Sequence, residues 1–405
     1  MASLVNADLH IHSKYARGTS INMEIPLLAQ QSKLKGINLL ATGDCIHRKW
    51  LDHLKETLSG KDGIYEYDEM KFVLQTEVQD KNRVHQIIFL PDFSKAEELR
   101  EKLMRHSPNI DADGRPWLRL NGEEIAETVL GCEGLIGPAH AFTPYFGILA
   151  HFSSLKECYG KFANNVHFLE LGLSADSLMA DKISELHRVA FLSNSDSHSP
   201  YPIRLAREFN VIEIEDFTFT SFKKAIEKEG GKGIKLNCGF YPQHGKYYAT
   251  RCKNCPTYYT LEEAIKLKWR CQKCKGSIKK GVSDRIKELS DSDGNPNRAK
   301  YIHIYPLSEI IAVAHGIENP SSVKVSGIWQ SLIEKFGNEI EILINAKEDE
   351  IKRIDEKTAI YIKAFREDKI EHIPGGGGVY GKLLPLGQKA NIDVFKKQQK
   401  SLMEF

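Results

Sequence analysis

The first 228 residues repeat one pattern, in which a short apolar segment ending in a polar side chain is followed by an amphipathic stretch. The apolar segments predict strands at Val5–His12, Gly36–Thr42, Lys71–Glu77, Val84–Leu90, Leu135–Pro138, Val166–Leu171 and Val189–Ser193. The stretches between them include the predicted helices Ile25–Leu34, Lys95–Arg105, Glu123–Leu130 and Ala175–Arg188. This β-then-α order predicts an α/β fold, with a parallel sheet or barrel and crossover helices. Barrel enzymes place their chemistry at the C-terminal ends of such strands.

Side chains that bind metals recur at these strand ends. Alternation along the first strand puts His10 and His12 on one face, where both imidazoles can bind one cation. A lone His-x-His motif is a weak signal, because a single histidine is more often a hydrogen-bonded core or surface residue. Six further residues of ligand type stand at other strand ends, and they are Asp44, Glu77, His85, His140, Asp196 and His198. Together the eight residues predict a metal centre.

Four of the eight cysteines form a second metal-binding pattern, Cys252-x2-Cys255 and Cys271-x2-Cys274. This spacing predicts a structural zinc site, because four thiolates leave no open coordination position. The segment Met1–Asp8 lacks a secretory signal and the chain has no long apolar run, so we expect a cytoplasmic protein with no membrane partner. Glycines at 230–233 and a polar segment at 291–297 divide the chain into predicted domains at 1–233, 234–290 and 298–405.

The formal net charge of +2 does not by itself indicate nucleic acid, but Lys and Arg greatly outnumber Asp and Glu from Lys246 to Arg285. Basic groups interleaved with aromatic residues can hold a DNA strand by phosphate contact and stacking. The alternative is a zinc ribbon that only braces the barrel. In the mainly helical C-terminal region, Gly375, Gly376, Gly377 and Gly378, with Tyr380 and Lys382 beside them, predict a DNA-backbone contact, and a flexible linker is the alternative.

The chain resembles the PHP (polymerase and histidinol phosphatase) superfamily and, within it, the endonuclease Q family. The resemblance covers nearly the whole chain. It is carried by Ala7–Ser13, Ala41–Asp44, Gly137–Pro144, Phe168–Asp176, Leu192–Pro200, the four-cysteine module and Ile373–Gly381. It implies an irregular seven-stranded (β/α) barrel of PHP type, joined to a four-cysteine zinc ribbon and a mainly helical C-terminal DNA-binding domain.

The resemblance also implies an activity. Endonuclease Q enzymes nick DNA on the 5′ side of uracil, hypoxanthine and xanthine, and at abasic sites. By analogy, His10, His12, Glu77 and Asp196 would hold one metal ion. Glu77 would bridge to a second ion, held also by His85 and His140, and Asp44 and His198 would help to hold a third. Glu77, Asp196 and His198 are the expected catalytic residues. Cys45 stands where PHP phosphatases commonly carry a histidine.

The expected cofactors are the zinc ion of the cysteine module and two or three catalytic-site ions, either Zn²⁺ or Mn²⁺, with Mg²⁺ as a possible activator. The expected partner is double-stranded DNA with a damaged base. An enzyme that inspects a base takes it out of the stack, so a pocket with aromatic walls is expected. The candidates for contacts to the base or the DNA are Phe142, Tyr145, Ser174, Asn194, Arg204 and Arg207.

Two other functions fit the metal motif. One is a phosphatase for small molecules such as histidinol phosphate. The other is a DNA-binding protein with a degenerate metal site. The zinc module and the basic C-terminal third favour a polymeric substrate, because a small phosphate ester requires neither. Nicking and gel-shift assays on one duplex, with and without uracil, would distinguish the three.

Overall fold

The computed structural model describes residues 2–229 and 233–390. Its strands are β1 (Ser3–Asp8), β2 (Leu39–Ala41), β3 (Ser59–Lys61), β4 (Ile64–Tyr67), β5 (Met70–Gln79), β6 (His85–Leu90), β7 (Leu135–Pro138), β8 (Phe168–Glu170), β9 (Ala190–Leu192), β10 (Phe209–Ile214), β11 (Gly233–Gly239), β12 (Arg251–Cys252), β13 (Ile278–Lys279), β14 (Lys300–His303), β15 (His372–Ile373) and β16 (Lys382–Leu383).

The helices are α1 (Ile25–Lys35), α2 (Arg48–Thr57), α3 (Phe93–Met104), α4 (Gly122–Leu130), α5 (Ile148–His151), α6 (Leu155–Tyr159), α7 (Ser177–Ala180), α8 (Phe219–Ile226), α9 (Leu261–Lys266), α10 (Val282–Leu289), α11 (Leu307–Ala314), α12 (Val323–Phe336), α13 (Glu348–Lys352) and α14 (Glu356–Arg366). The predicted long helix Ala175–Arg188 is wrong, because only α7 and a 3₁₀ segment at Ser184–Arg188 form there. Among the described residues, no helix is both long and apolar enough to cross a bilayer.

The fold is a mixed α/β arrangement, as predicted in its class, but its strands are not all parallel. β1, β2 and β5 pair in parallel, as the β-then-α order predicts. However, β5 pairs with β6 in antiparallel orientation, and β6 pairs with β7 in the same way. The chain between β5 and β6 is too short for a crossover helix, so only a hairpin can join them. β10, which was not predicted, lies between β1 and β11 and pairs with both in antiparallel orientation.

Backbone hydrogen bonds also link the strands that end in predicted ligand residues, beyond the regular ladders. β8 and β9 form a parallel pair. The chain after β7 joins β8, because Ala141 N donates to the Glu170 carbonyl at 2.8 Å. The chain after β9 joins the end of β1, because His12 N donates to the Ser197 carbonyl at 3.0 Å. The ends of β1, β5, β7 and β9 therefore face a common centre.

Apolar side chains on both faces of the strands hold this arrangement. One buried cluster packs helices α1 to α4 against the sheet and includes Trp50, whose indole N–H donates to the Thr42 and Gly43 carbonyls at 3.1 and 2.8 Å. A second cluster includes Phe89, Phe168 and Phe222 on the opposite face. Burial of apolar surface on this scale is the main favourable term in folding. It fixes the strand ends that carry the polar residues.

The cysteine module and the C-terminal helices have cores of their own. A small cluster around Cys252, Tyr259 and Cys271 supports the module, and a larger one packs α11, α12 and α14 together. β11 and β14 extend the main sheet, so the boundary predicted at residues 233 and 234 falls within a sheet strand. The predicted boundary glycines at 230–232 lie outside the described residues.

Candidate functional site

The strand ends bring most of the predicted ligand residues together. Ligand-type atoms form three groups, each with its atoms within 4.8 Å of one another. The groups are His10, His12 and Glu77; Glu77, His85 and His140; and His12, Asp196 and His198. Glu77 and His12 each belong to two groups, so the groups share one continuous site.

Glu77 lies at the centre of this site. Its Oε1 atom is 2.9 Å from His85 Nδ1 and 3.2 Å from His140 Nε2. Its Oε2 atom is 3.3 Å from His12 Nε2. The Asp196 Oδ1 atom is also 3.3 Å from His12 Nε2. A carboxylate with two oxygens facing different imidazoles is suited to bridge two cations.

The unsatisfied polar atoms of the site fit metal binding. His10 Nε2, His12 Nε2, His140 Nδ1 and Asp196 Oδ1 are buried and make no hydrogen bond within the described part of the chain. Burying polar atoms without partners costs free energy, so such atoms in a native structure require an explanation. Imidazole nitrogens and carboxylate oxygens are the ligands that zinc and manganese bind. The residues therefore fit a group of divalent cations.

Hydrogen bonds behind the ligands fix their orientation. Glu170 accepts from His10 Nδ1 at 3.0 Å, from His140 N at 2.8 Å and from Asn194 Nδ2 at 2.8 Å. Because Nδ1 of His10 is engaged in this way, Nε2 is directed towards Glu77 and Asp196. Metal-binding histidines characteristically donate their second nitrogen to a carboxylate, which sets the tautomer.

Asp44 has the same supporting role for His12, which corrects its prediction as a ligand. Its Oδ1 atom is 3.0 Å from His12 Nδ1. Its Oδ2 atom accepts from Ser13 N and Ser13 Oγ, both at 2.6 Å. Both oxygens are thus engaged with protein donors, and Asp44 is not part of the three ligand groups. The adjacent Cys45 thiol is fully buried and lies in the apolar core.

The backbone is strained at three of these positions. Asp44, His140 and Asp196 have φ values of 42°, 27° and 47°, in the left-handed region that side chains with a Cβ rarely adopt. Such conformations persist where the surroundings over-determine them, and they cluster at functional sites. Here the strain accompanies the sharp turns that aim the side chains back across the strand ends.

Charge in the site is balanced around Glu77. Burial alone would raise the pKa of Glu77, but the neighbouring cations Arg115 and His10 hold that pKa well below its usual range. Glu77 is therefore an anion at neutral pH. Burial lowers the pKa of His85 to about 4, despite the opposing effect of Glu77. His85 is therefore neutral, which is the form of imidazole that binds a metal ion.

A cavity of about 280 Å³ opens directly above these groups. Its floor includes His85, His140, Asp196 and His198, and its walls carry Arg115, Ser174, Asn194, Arg207, Lys246, Tyr247 and Tyr380. The Lys246 ammonium lies 5.4 Å from the Tyr247 ring centre and 5.7 Å from that of Tyr380. One wall is therefore both cationic and aromatic, although its residues come from distant segments of the chain.

Of the six residues predicted to contact the base or the DNA around the metal motifs, three lie away from this cavity. Phe142 is 2% exposed and belongs to the apolar core, so the prediction that it forms a wall against the base is wrong. Tyr145 packs behind the wall, with its ring centre 6.0 Å from that of Tyr247 and 3.9 Å from Lys279 Nζ. Arg204 lines a different cavity, next to Trp329 of α12.

Asn194 lines the cavity, but its amide is engaged by the protein. Its Nδ2 atom donates to Glu170, and its Oδ1 atom accepts from Leu9 N at 3.1 Å. Asn194 therefore supports Glu170, which orients the metal-binding residues, and both atoms of its amide group already have hydrogen-bond partners. Ser174 and Arg207, which were also candidates for contacts to the base or the DNA, line the cavity. The Nε atom of Arg207 donates to the Ser195 carbonyl at 3.0 Å.

The glycine run is a packing element, which corrects its prediction as an anion-binding loop. The amide nitrogens of Gly375, Gly376 and Gly378 donate to the carbonyls of Gln243, Val379 and Lys246, at 2.8, 3.0 and 2.9 Å respectively. A Cβ on Gly376 would lie 2.5 Å from the Ala249 carbonyl oxygen. The run therefore lies against the cysteine module, and places Tyr380 at the cavity. Lys382, in β16, is exposed and does not line it.

The four cysteines converge as their spacing predicts. Their sulfur atoms lie within 4.8 Å of one another, with Cys252 and Cys274 3.4 Å apart and Cys255 and Cys271 3.5 Å apart. A tetrahedral zinc ion with Zn–S bonds of about 2.3 Å would place its sulfurs about 3.8 Å apart. The set therefore fits one zinc ion.

Sequence reasoning missed Glu170 and Arg115. Glu170 ends the predicted strand Val166–Leu171, as Glu77 ends Lys71–Glu77, and that position was an available signal. Arg115 lies in a loop between α3 and α4, where the sequence carries no periodic pattern. Only the folded chain brings it to Glu77.

Of two relatives that match this chain, one has nearly the same length and the other is much longer. The protein YqxK of Bacillus subtilis is 31% identical over 413 residues, covering 94% of this chain and 99% of YqxK. The protein MJ0043 of Methanocaldococcus jannaschii is 45% identical over 251 residues, which are 60% of this chain and only 31% of MJ0043. The family described as the MJ0043 C-terminal domain matches residues 306–369.

Two solved structures match over almost the whole chain. The lesion-specific endonuclease PfuEndoQ of Pyrococcus furiosus has a TM-score of 0.91 and 45% identity, covering 98% of this chain and 99% of the other. An endonuclease Q solved with a 27-mer duplex substrate, with an abasic lesion at the active site, also has a TM-score of 0.91, with 44% identity, and covers 97% of this chain and 100% of the other. Identity and coverage at this level show that the chain belongs to the endonuclease Q family.

Proposed function

We propose that this protein is a metal-dependent DNA repair endonuclease that hydrolyses the phosphodiester on the 5′ side of a deaminated base or an abasic site. Full-length similarity to a lesion-specific endonuclease supports this proposal, and so does the match to an endonuclease Q with an abasic lesion at its active site. The observation that carries it is the cavity, where three ligand groups lie beneath a cationic and aromatic wall.

The finer architecture follows from the hydrogen bonds between strands. We infer an irregular seven-stranded barrel of PHP type, made of β1, β2, β5, β6, β7, β8 and β9. The links from Ala141 to Glu170 and from His12 to Ser197 support closure of this ring. The cysteine module, from Phe240 onwards, and the helical region from about residue 304 then form the second and third parts.

The metal centre follows from the ligand groups. His10, His12, Glu77 and Asp196 would hold one ion, and Glu77, His85 and His140 a second. His12, Asp196 and His198 form the third group, which allows a third ion. When bound, such ions lower the pKa of a water molecule and neutralise charge on the attacking and leaving oxygens. Zinc or manganese fits this ligand set, and the four cysteines would hold a structural zinc.

Other residues of the chain orient the metal ligands and bind the nucleotide. Glu170 and Asp44 keep the imidazoles of His10 and His12 in position. The wall of Lys246, Tyr247 and Tyr380 suits an extrahelical nucleotide, because a cation attracts phosphate and tyrosine rings stack on bases. Uracil, hypoxanthine and xanthine share an N–H beside a carbonyl, and we infer that Ser174, which lines the cavity, reads that edge. The same wall favours a polymer over a small phosphate ester.

A duplex with one abasic site, end-labelled on the lesion strand, tests the function. The protein with manganese or magnesium should nick that strand once at the lesion and leave the undamaged duplex intact. A chelator should abolish the nick. Binding without nicking in the presence of metal would indicate a degenerate site. Release of phosphate from histidinol phosphate, with no duplex nicked, would support the phosphatase alternative.

A further inference from the structure

Arg115 is a cation placed among the metal-binding groups. Its guanidinium lines the same cavity as His85, His140 and Asp196, and its Nη1 atom lies 3.2 Å from Glu77 Oε2. The side chain is 26% exposed, so part of the guanidinium faces the cavity. Glu77 is the only side chain to which a hydrogen bond from this guanidinium is found within residues 2–229 and 233–390. Most of its five donors therefore remain for a ligand in the cavity.

The backbone around Arg115 is held tightly on both sides. Gly114 N donates to the Tyr15 carbonyl at 3.0 Å, and a Cβ at Gly114 would lie 2.3 Å from Asp44 Oδ2. On the other side, Gln79 N donates to the Pro116 carbonyl at 2.9 Å, just beyond Glu77 on β5. Arg115 is thus fixed between the support of His12 and the strand of Glu77. A preorganised donor costs little reorganisation when charge develops near it.

The positive charge of Arg115 next to the predicted metal ligands requires an explanation. A guanidinium stays protonated, so it would repel divalent cations held by Glu77 and Asp196. The Glu77 carboxylate offsets part of that repulsion, and a further anion in the cavity would offset more of it. The anion that the cavity is proposed to receive is a phosphodiester, and the planar fork of arginine matches two phosphate oxygens.

We propose that Arg115 contacts a non-bridging oxygen of the phosphodiester that is cut, and stabilises the charge that builds there during hydrolysis. This rests on the proposed endonuclease function. A water oxygen forms a bond to phosphorus while the bond from phosphorus to the 3′ oxygen breaks. The 3′ oxygen leaves as a hydroxyl, taking up a proton, and the phosphate stays on the 5′ carbon of the lesion nucleotide. Arg115 is thus a catalytic residue and supplies no metal ligand.

The variant Arg115→Met tests the proposal, because methionine keeps much of the side-chain volume without the charge. We expect the single-turnover nicking rate on an abasic duplex to fall about hundredfold, as expected when one preorganised donor to a developing anion is removed. Metal content, measured by elemental analysis of the same samples, should stay equal to wild type or rise. Arg115→Lys should recover part of the rate, because it restores the charge without the fork. Arg119→Met, on an exposed arginine of the same loop, is the matched control.

Each outcome separates one explanation from another. If Arg115→Met loses catalytic-site metal together with activity, Arg115 only holds Glu77 in place and the proposal is wrong. If this variant nicks within a few fold of wild type, Arg115 has no role in hydrolysis. If wild type itself fails to nick any lesion duplex in the presence of metal, the proposed function fails before the question of Arg115 arises.

Discussion

Asp196 is the residue whose loss should separate chemistry from binding most clearly. Its Oδ1 atom faces His12 and makes no hydrogen bond among the described residues. Asp196→Asn keeps the shape but removes an anionic ligand, so charge neutralisation in the transition state is lost. We expect nicking to fall by at least about a thousandfold, since metal-ion stabilisation amounts to several kcal/mol. Single-turnover assays measure this loss.

DNA affinity should change little in the same variant, because phosphate contacts away from the metals supply most of the binding. Gel-shift titration of Asp196→Asn against wild type checks this expectation, with the exposed Asp293→Asn as a matched control. Nicking by Asp196→Asn within tenfold of wild type would remove Asp196 from the metal centre.

Glu208 gives a prediction about pH. It is 1% exposed and accepts a hydrogen bond from Phe240 N at 2.9 Å, and burial raises its pKa to about 8. The folded protein therefore holds a proton here that the unfolded chain releases near its ordinary pKa of about 4.3. This contribution to stability is fully present below pH 4 and is lost as pH rises through 8. It is on the order of a few kcal/mol.

Urea unfolding at several pH values between 5 and 8.5 checks this expectation. Wild type should lose free energy of unfolding as pH rises, whereas Glu208→Gln should show a flatter dependence, because glutamine carries no proton to lose. Glu318→Gln, at an exposed position, should keep the wild-type slope. Parallel slopes for wild type and Glu208→Gln would show that Glu208 does not titrate in this range.

Single residues differed in how far their roles could be predicted. Strand ends are marked by hydrophobic runs, so His10, Glu77 and His140 could be located as ligand-type residues from the amino-acid sequence alone. A role that depends on side-chain direction could not be predicted. The supporting position of Asp44 depends on a turn with positive φ, and the place of Arg115 in the cavity depends on a loop without periodicity.

At the scale of structural elements, the glycine run at 375–378 connects the cysteine module to the cavity. Arg251 Nη1 donates to the Gly376 carbonyl at 3.0 Å, and Tyr258 Oη donates to the Pro374 carbonyl at 2.6 Å. β15 and β16, on either side of the run, pair with each other and hold its base together. The position of Tyr380 in the cavity wall thus depends on the cysteine module behind it.

Gly376→Ala should displace this run, because a Cβ there would lie 2.5 Å from the Ala249 carbonyl oxygen and 2.9 Å from the Arg251 side chain. Overpacking of this kind costs about 1–3 kcal/mol. Once Tyr380 leaves the wall, KM for lesion DNA should rise about tenfold, with a smaller effect on kcat, because the metal ligands are untouched.

Steady-state kinetics and elemental analysis of Gly376→Ala measure both effects. Gly327→Ala in α12, where a Cβ meets nothing within 4 Å, is the matched control. Unchanged KM in a variant that has lost stability would show that the run braces the fold without shaping the cavity.

The sequence predicted most strands of the first 200 residues and failed where pairing is long-range. Each of the seven predicted strands overlaps an observed strand, because apolar runs bounded by turns indicate strands irrespective of partners. The direction of β6 was not predicted, since it depends on the short connection from β5, and neither was that of β7. β10 and β14 were not predicted either; β10 lies between β1 and β11, and β14 lies at the edge of the main sheet next to β11.

At the scale of the whole molecule, buried polar contacts join the first 228 residues to the cysteine module and to the C-terminal helices. Lys35 of α1 forms an ion pair with Glu339 at 2.5 Å, with both side chains buried, and Glu339 also accepts from Trp329 Nε1 at 2.9 Å. Arg285 of α10 donates to the Leu149 and Phe152 carbonyls. Removing one partner of a buried ion pair commonly costs several kcal/mol. The cavity wall therefore lies between parts that are fixed to one another.

We propose that this cavity distinguishes a damaged base from a normal one. Thymine shares the pairing edge of uracil and differs by a C5 methyl group, and one extra methyl against an unyielding wall costs about 1–3 kcal/mol. Extrusion is also easier for a mismatched base, so both duplexes must carry the same opposing base.

The most direct test uses two end-labelled duplexes that differ only in uracil or thymine at one position, with manganese or magnesium supplied. We predict one nick on the 5′ side of uracil, leaving a 3′-hydroxyl, and cleavage of the thymine duplex slower by at least about tenfold, the rate ratio that corresponds to one excluded methyl group. Equal cleavage of the two duplexes would contradict the account.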